Sequence, residues 1–174
     1  MGKLLLFIVL IYSVYSNKSL FITPQAPKLE LSETEGGSLH LGPRMERPLV
    51  VAFVVEQCGY SDRALKLMNG IRTSFTAESL DVVGVFLNPT NDQDLAGLKK
   101  EKGAMFPLAQ GQPNAETIIA LHKSFEIKYP GRTIYVVSRV GKIYSVDADK
   151  EDASVIFKNL LKTIRKRTNL IASA

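Results

Sequence analysis

The chain has 174 residues, of which 45% are hydrophobic and 22% are charged, so it suits one globular domain and excludes wholesale disorder. Its 22 basic and 17 acidic residues give a net charge of +5 without a long basic stretch, which argues against a dedicated nucleic-acid binder. A single cysteine, Cys58, excludes an internal disulfide framework. The sequence carries no nucleotide-binding, metal-binding or haem-attachment motif, so it implies no cofactor and no metal.

The chain begins with an apolar segment. Lys3 precedes a run from Leu4 to Tyr15, which is shorter than the about 20 residues of a membrane-spanning helix and matches a secretory signal. Ser16 is a small residue at a suitable cleavage point. We predict a signal peptide over residues 1–16, with a retained signal-anchor as the alternative, and a linker over residues 17–25. The domain is then expected to be secreted, periplasmic or in the secretory-pathway lumen, or anchored to a membrane facing such a compartment.

The next segment predicts a hairpin followed by a buried strand. Leu29 and Leu31 alternate with polar neighbours, as do Leu39 and Leu41, and two glycines separate the pairs. Pro48 then opens the run "LVVAFVV", which is short, rich in valine and apolar throughout. Such a run is typical of a central strand that is covered on both faces.

A helix is predicted directly after Cys58. Ser61 or Asp62 is expected to cap it, because a short side-chain oxygen accepts from the free amides of a first helical turn. The apolar residues that follow are spaced three and four apart and therefore share one face: Leu65, Met68, Ile71 and Phe75.

The rest of the chain alternates strands and helices. "LDVVGVFL" predicts a second buried strand, and a short helix capped by Thr90 or Asn91 is expected to end at Gly103. A helix over 116–125 precedes two strands, "RTIYVVS" and "KIYSVD", joined by a turn at 139–141. A last helix is predicted from about 152 to 167. This order predicts an α/β fold with a mixed sheet and helices on both faces.

Several short segments carry a resemblance to a known family. "APKLEL…GGSLHL…RPLVVAFVVEQCGYS" resembles the opening of the TlpA-like and AhpC/TSA redoxin families, and "FP" at 106–107 and "TIYVVSRVGKI" are similar to their later segments. The resemblance covers roughly residues 26–167. It implies a thioredoxin-like fold over 26–168 with an N-terminal β-hairpin extension, followed by a tail at 169–174.

Three positions depart from the family's pattern. Its thiol–disulfide members usually carry Trp-Cys-x-x-Cys, whereas Gln57 replaces the tryptophan here and Ser61 the second cysteine. Arg132 falls where they carry a cis-proline, and Pro130 two residues earlier is a weaker candidate for such a bond. Peroxiredoxin-like members place an arginine at the position of Arg132, but their reactive cysteine aligns with Ser61.

The resemblance and the helix-capping position together predict a reactive thiol. Free amides and the helix dipole favour the thiolate of a cysteine at a helix N-terminus, and only the thiolate is a good nucleophile. Arg132 would add a cation, and Ser61 would donate a hydrogen bond to sulfur. We therefore predict a catalytic set and a substrate-binding set around this turn. The catalytic set is Cys58, Ser61 and Arg132, and the substrate-binding set is Gln57, Gly59, Tyr60, Gly131 and Thr133.

Three functions are compatible with one thiol. The first is monothiol exchange or isomerisation of protein disulfides, in which an external thiol such as glutathione completes the release because Ser61 cannot. The second is a peroxiredoxin-like antioxidant activity. The third is an inactive thioredoxin-fold domain that binds a partner. The expected partners are protein thiols and disulfides or glutathione, with no nucleic acid and a possible membrane tether. We expect a monomer or a weak dimer.

Overall fold

The structure, a computed structural model, describes residues 24–34, 36–87, 95–110 and 115–149, together with helical positions at 155, 158, 159 and 162. The predicted signal segment, the capping residues Thr90 and Asn91, the tail and most of the last predicted helix lie outside these ranges. Within the described ranges, no helix combines the length and the apolar character needed to cross a membrane.

Seven strands form one mixed sheet in the part of the chain that the structure describes. In chain order they are β1 (Leu29–Glu33), β2 (Ser38–Leu41), β3 (Leu49–Val54), β4 (Asp81–Phe86), β5 (Leu108–Gln110), β6 (Thr133–Val137) and β7 (Ile143–Asp147). Their order across the sheet is β2-β1-β5-β4-β3-β6-β7. The central β3 pairs with β4 in parallel and with β6 in antiparallel orientation.

Three helices with both ends in the described ranges cover the two faces of the sheet: α1 (Gly59–Ser74), α2 (Leu95–Glu101) and α3 (Ala115–Phe125). Alternate residues of β3 point to opposite faces. Val50, Ala52 and Val54 join a core cluster with residues of α1 and α2. Val51 and Phe53 join a second cluster with α3, where Phe53 makes an edge-to-face contact with Phe125 at 4.8 Å. The α/β class, the mixed sheet and the helices on both faces are thus confirmed.

The parallel pairing of β3 with β4 determines where the turn that carries Cys58 lies. A parallel connection needs a crossover, and α1 provides it between β3 and β4. The carboxyl end of β3 therefore leads directly into the amino end of α1. Because β6 runs antiparallel to β3, with Ala52 opposite Ile134, the start of β6 lies beside the same end of β3. The thiol turn and the segment before Thr133 meet there.

Two details differ from the sequence prediction. Leu108–Gln110 forms strand β5, which pairs with β4 in parallel and with β1 in antiparallel orientation, and so joins the N-terminal hairpin to the central sheet. Sequence analysis missed it because three residues after a proline show no periodicity. Gln25, assigned to the linker, forms a bridge with Lys142, so contacts with the domain begin before residue 26.

Candidate functional site

A tight turn joins β3 to α1 and presents Cys58. Gln57 has a positive φ of 52°, a left-handed conformation that is uncommon for residues other than glycine, asparagine and aspartate. Cys58 follows in an extended conformation (φ −119°, ψ 116°) as the N-cap residue, and its carbonyl accepts from the Asp62 amide at 3.1 Å. The helix thus begins at Gly59, with the partly exposed residue Cys58 at its amino end.

The predicted capping role of Ser61 and Asp62 is wrong, because the helix begins before them. Ser61 occupies the third helical position and is only 2% exposed. Its hydroxyl oxygen accepts a hydrogen bond from the Val55 amide at 3.0 Å and so holds the end of β3 against the first turn of α1. With this oxygen accepting from the backbone, the hydroxyl proton remains available to the sulfur.

The electrostatic surroundings of Cys58 favour the thiolate. The thiol makes no capping hydrogen bond of standard geometry. Nevertheless, the Ser61 amide lowers the pKa of Cys58, with further lowering from the Ser61 hydroxyl and the Tyr60 amide. Desolvation and the Asp62 carboxylate act in the opposite direction, and the net pKa lies below its usual value. Backbone amides at a helix start thus provide the stabilisation that the sequence predicted for this position.

The lowered pKa gives a direct expectation for alkylation. Iodoacetamide reacts with the thiolate, so the rate plotted against pH should show a midpoint below the about 8.5 of a free cysteine. The rate is measured by intact mass on the folded protein, with the urea-unfolded protein as control. A folded midpoint at or above the unfolded one would contradict the electrostatics described for Cys58.

The same shift links ionisation of Cys58 to stability. Because the folded pKa is lower than the unfolded one, the contribution is fully present above the unfolded pKa. It is lost as the pH falls through the folded pKa. The stability of the wild type relative to Cys58→Ser should therefore rise with pH across that window, which urea unfolding at several pH values measures.

Gly131 lies against the first turn of α1. Its amide donates to the Phe53 carbonyl at 2.6 Å, and it has a positive φ of 77°. A Cβ at this position would lie 2.5 Å from Ser61 Cα and 2.6 Å from the Tyr60 carbonyl carbon. Only a residue without a side chain fits this approach. Sequence analysis placed Arg132, and not Gly131, at the position that faces the thiol turn. No cis peptide bond occurs among the described residues, Pro130 included.

Arg132 is engaged by acidic residues. Its Nε lies 4.0 Å from a carboxylate oxygen of Asp147 and 3.9 Å from one of Asp149, and its guanidinium stacks on Tyr129 at 5.8 Å. Asp149 also accepts from Arg63 at 2.8 Å. Arg132 is not among the groups that shift the pKa of Cys58. The predicted pairing of its charge with the thiolate stays a prediction. In the structure the guanidinium lies beside the carboxylates of Asp147 and Asp149.

The remaining predicted residues surround the thiol turn in different ways. Gln57, Gly59 and Tyr60 are exposed, and the Tyr60 ring lies 5.6 Å from the Arg63 guanidinium. Thr133 begins β6 and is partly buried. The structure brings Cys58, Ser61, Tyr60 and Gly131 together and gives Arg132 other partners. Sequence analysis missed Arg63, Asp149 and Tyr129, which are exposed or partly exposed residues far apart in the chain.

No group of three or more potential metal ligands occurs within the part of the chain that the structure describes.

Comparison with known proteins gives matches among solved structures only. The sequence matches no protein-family model and no curated protein. An Aquifex aeolicus VF5 protein with a proposed role in electron transfer is 15% identical, with a TM-score of 0.68 over 83% of this chain and 99% of that chain. The thioredoxin domain of a thiol-disulfide oxidoreductase from Bacteroides vulgatus is 16% identical (TM-score 0.64, 80% and 96% covered). A thiol-disulfide isomerase from Corynebacterium glutamicum is 17% identical (TM-score 0.62, 82% and 96% covered).

The chain therefore has the thioredoxin-like fold, as the resemblance in its sequence predicted. At these identities the likeness establishes the fold alone.

Proposed function

We propose that the protein is a monothiol thiol-disulfide oxidoreductase or isomerase that acts on protein disulfides. The observation that carries this proposal is the position of Cys58, which is the partly exposed N-cap residue of α1 and whose pKa is lowered mainly by the Ser61 amide. The solved structures of similar fold include a thiol-disulfide oxidoreductase domain and a thiol-disulfide isomerase, which supports this class of chemistry.

The reaction begins with the Cys58 thiolate. It attacks one sulfur of a client disulfide, so that a Cys58–client disulfide forms while the other client sulfur leaves as a thiolate and takes a proton from water. No second cysteine exists in the chain to attack this mixed disulfide. Release therefore needs an external thiolate, from glutathione or from another client cysteine, which attacks the client sulfur and returns Cys58 to its thiolate. The chain itself undergoes no net oxidation.

The surface around the sulfur supplies the contacts to the client. We assign Gln57, Gly59 and Tyr60 to one side of it and Gly131 and Thr133 to the other, on the basis of the exposure of the first three and of the approach of Gly131 to α1. Tyr60 is 42% exposed, and an exposed ring offers apolar contact area at low entropic cost. Clients lie outside the cytosol if the apolar segment at 4–15 acts as a secretion signal.

Exchange fits the geometry better than peroxide reduction. In the peroxiredoxin-like alternative, Cys58 reacts with peroxide with help from Arg132, although the reactive cysteine of that branch aligns with position 61. Here Arg132 pairs with Asp147 and Asp149, and position 61 is only 2% exposed. A partner-binding domain without catalysis remains the alternative that the test below separates from exchange.

The proposal predicts one glutathionyl adduct on the wild type and none on Cys58→Ser after incubation with oxidised glutathione. Reduced glutathione should then remove the adduct, because the external thiol completes the cycle. Intact-mass analysis measures both steps, and a parallel incubation with hydrogen peroxide reports oxygen addition.

Two results would contradict the proposal. Absence of an adduct above the alkylation midpoint of Cys58 would favour a partner-binding domain. Peroxide oxidation that outpaces free cysteine by orders of magnitude would favour the antioxidant function instead.

A further inference from the structure

A lysine on the neighbouring helical segment is fixed beside the first turn of α1. Lys102 follows α2, and its side chain is only 18% exposed, which is unusual for a lysine. Its Nζ lies 3.2 Å from a carboxylate oxygen of Asp62, four positions after Cys58, and 3.5 Å from one of Glu101. The Asp62 carboxylate raises the pKa of Lys102, so the ammonium is charged at neutral pH.

The backbone around Lys102 is anchored to α1 at two points. The side-chain amide of Asn69 donates to the Gly103 carbonyl at 2.8 Å and accepts from the Met105 amide at 2.8 Å. Asn69 therefore holds the turn after α2 along the flank of α1. This anchoring fixes the backbone from which the Lys102 side chain reaches the first helical turn.

The ion pair matters because the Asp62 carboxylate disfavours ionisation of the Cys58 thiol. A carboxylate in the first turn of a helix interacts well with the dipole, but a thiolate beside it is a second negative charge. The Asp62 carboxylate makes the smallest of the contributions to the pKa of Cys58, and it raises this pKa against the amides that lower it. A cation held on the carboxylate offsets this repulsion.

Other charged groups around this turn have different placements. Arg63 donates to Asp149 at 2.8 Å, Glu56 is exposed in the preceding turn, Lys66 is exposed one helical turn after Asp62, and Glu101 shares Lys102. Among the described residues, Lys102 is the cation that forms an ion pair with Asp62.

We propose that Lys102 is a positioning residue for the thiol chemistry, which neutralises the Asp62 carboxylate and so keeps Cys58 in its thiolate form. The inference rests on the proposed function of Cys58 and adds the group that tunes it. The arrangement has three members, Lys102, Asp62 and Cys58. Through it, the turn after α2 influences the ionisation of the thiol at the start of α1.

The test is the alkylation midpoint of Cys58 in a double-mutant cycle. Lys102→Met should raise the midpoint and slow alkylation at pH 7 by about two- to five-fold, the range expected for a partly exposed pair. Asp62→Asn should lower the midpoint. In the Asp62→Asn background, Lys102→Met should have no further effect, since the carboxylate that it neutralises is gone.

Two control variants separate charge from packing. Lys102→Arg keeps the charge and should retain the wild-type midpoint, whereas Lys100→Met removes an exposed lysine of α2 and should also leave it unchanged. An unchanged midpoint in Lys102→Met would overturn the inference, as would an equal shift in both backgrounds. Neither result bears on the proposed function, which fails separately if the wild type forms no glutathione adduct.

Discussion

Ser61→Cys should convert the protein from a monothiol to a dithiol enzyme. Oxidised wild type is expected to keep a glutathionyl group on Cys58, whereas the variant should expel it and form an internal disulfide. The physical reason is proximity, because positions 58 and 61 flank the first helical turn and a disulfide spans Cα separations of about 4.4–6.8 Å. The second thiol also has a far lower pKa than the serine hydroxyl, so it ionises in the accessible range.

Both thiols of the variant take part in the release of the glutathionyl group. The thiolate introduced at position 61 attacks the Cys58 sulfur of the mixed disulfide, and the client or glutathione sulfur leaves as a thiolate. The chain is thereby oxidised by two electrons while the client is reduced by two. Intact mass should then show the loss of two hydrogens and no adduct. Reduction of insulin by dithiothreitol should be accelerated by the variant more than by the wild type.

Ser61→Ala is the matched control. It removes the acceptor of the Val55 amide, as the cysteine largely does, so both variants should lose about 1 kcal/mol of stability. Only the cysteine supplies a resolving thiol, and the alanine variant should therefore retain the adduct. If Ser61→Cys keeps the glutathionyl group as the wild type does, the geometry proposed for the thiol turn is wrong.

The fold was predictable because burial leaves a strong local pattern. The strand Leu49–Val54 is buried throughout, and an unbroken apolar run of that length has few other interpretations. The leucines of the hairpin recur at every second residue, as in a strand with one buried face. The buried residues of α1 recur every three or four positions, as on one face of a helix: Leu65, Met68 and Ile71. Each of these assignments needs only residues close together in the chain.

The site was harder to predict because its contacts join distant segments. The cap was misplaced because Ser61 is a favoured capping residue, while in the structure its hydroxyl accepts from Val55 and Cys58 takes the N-cap position. The pair formed by Asp62 and Lys102 has no signature in a single sequence, since nothing local relates the two positions. Gly131 carried one usable signal, a glycine between proline and arginine before a strand, which indicates a turn with positive φ.

Gly131→Ala should be the most destabilising single change at the site. An L-residue at φ 77° costs roughly 1–2 kcal/mol, and a methyl group forced against the backbone of Ser61 and Tyr60 adds about 1–3 kcal/mol. The expected loss is therefore about 2–5 kcal/mol in urea unfolding. The neighbouring atoms belong to the main chain of α1, so relief requires the amino end of the helix to move, and the rate of glutathionylation of Cys58 should fall with it.

Gly59→Ala provides the comparison on the other side of the same turn. Gly59 has an ordinary φ, and a Cβ there would meet nothing within 4 Å, so alanine should leave stability unchanged or raise it by up to about 1 kcal/mol through its better helix propensity. The contrast tests the close approach itself, because both variants add one methyl group beside the thiol turn. If Gly131→Ala unfolds at the same urea concentration as Gly59→Ala, the segment before β6 does not press on the start of α1, and the surface assigned to client contacts loses its second side.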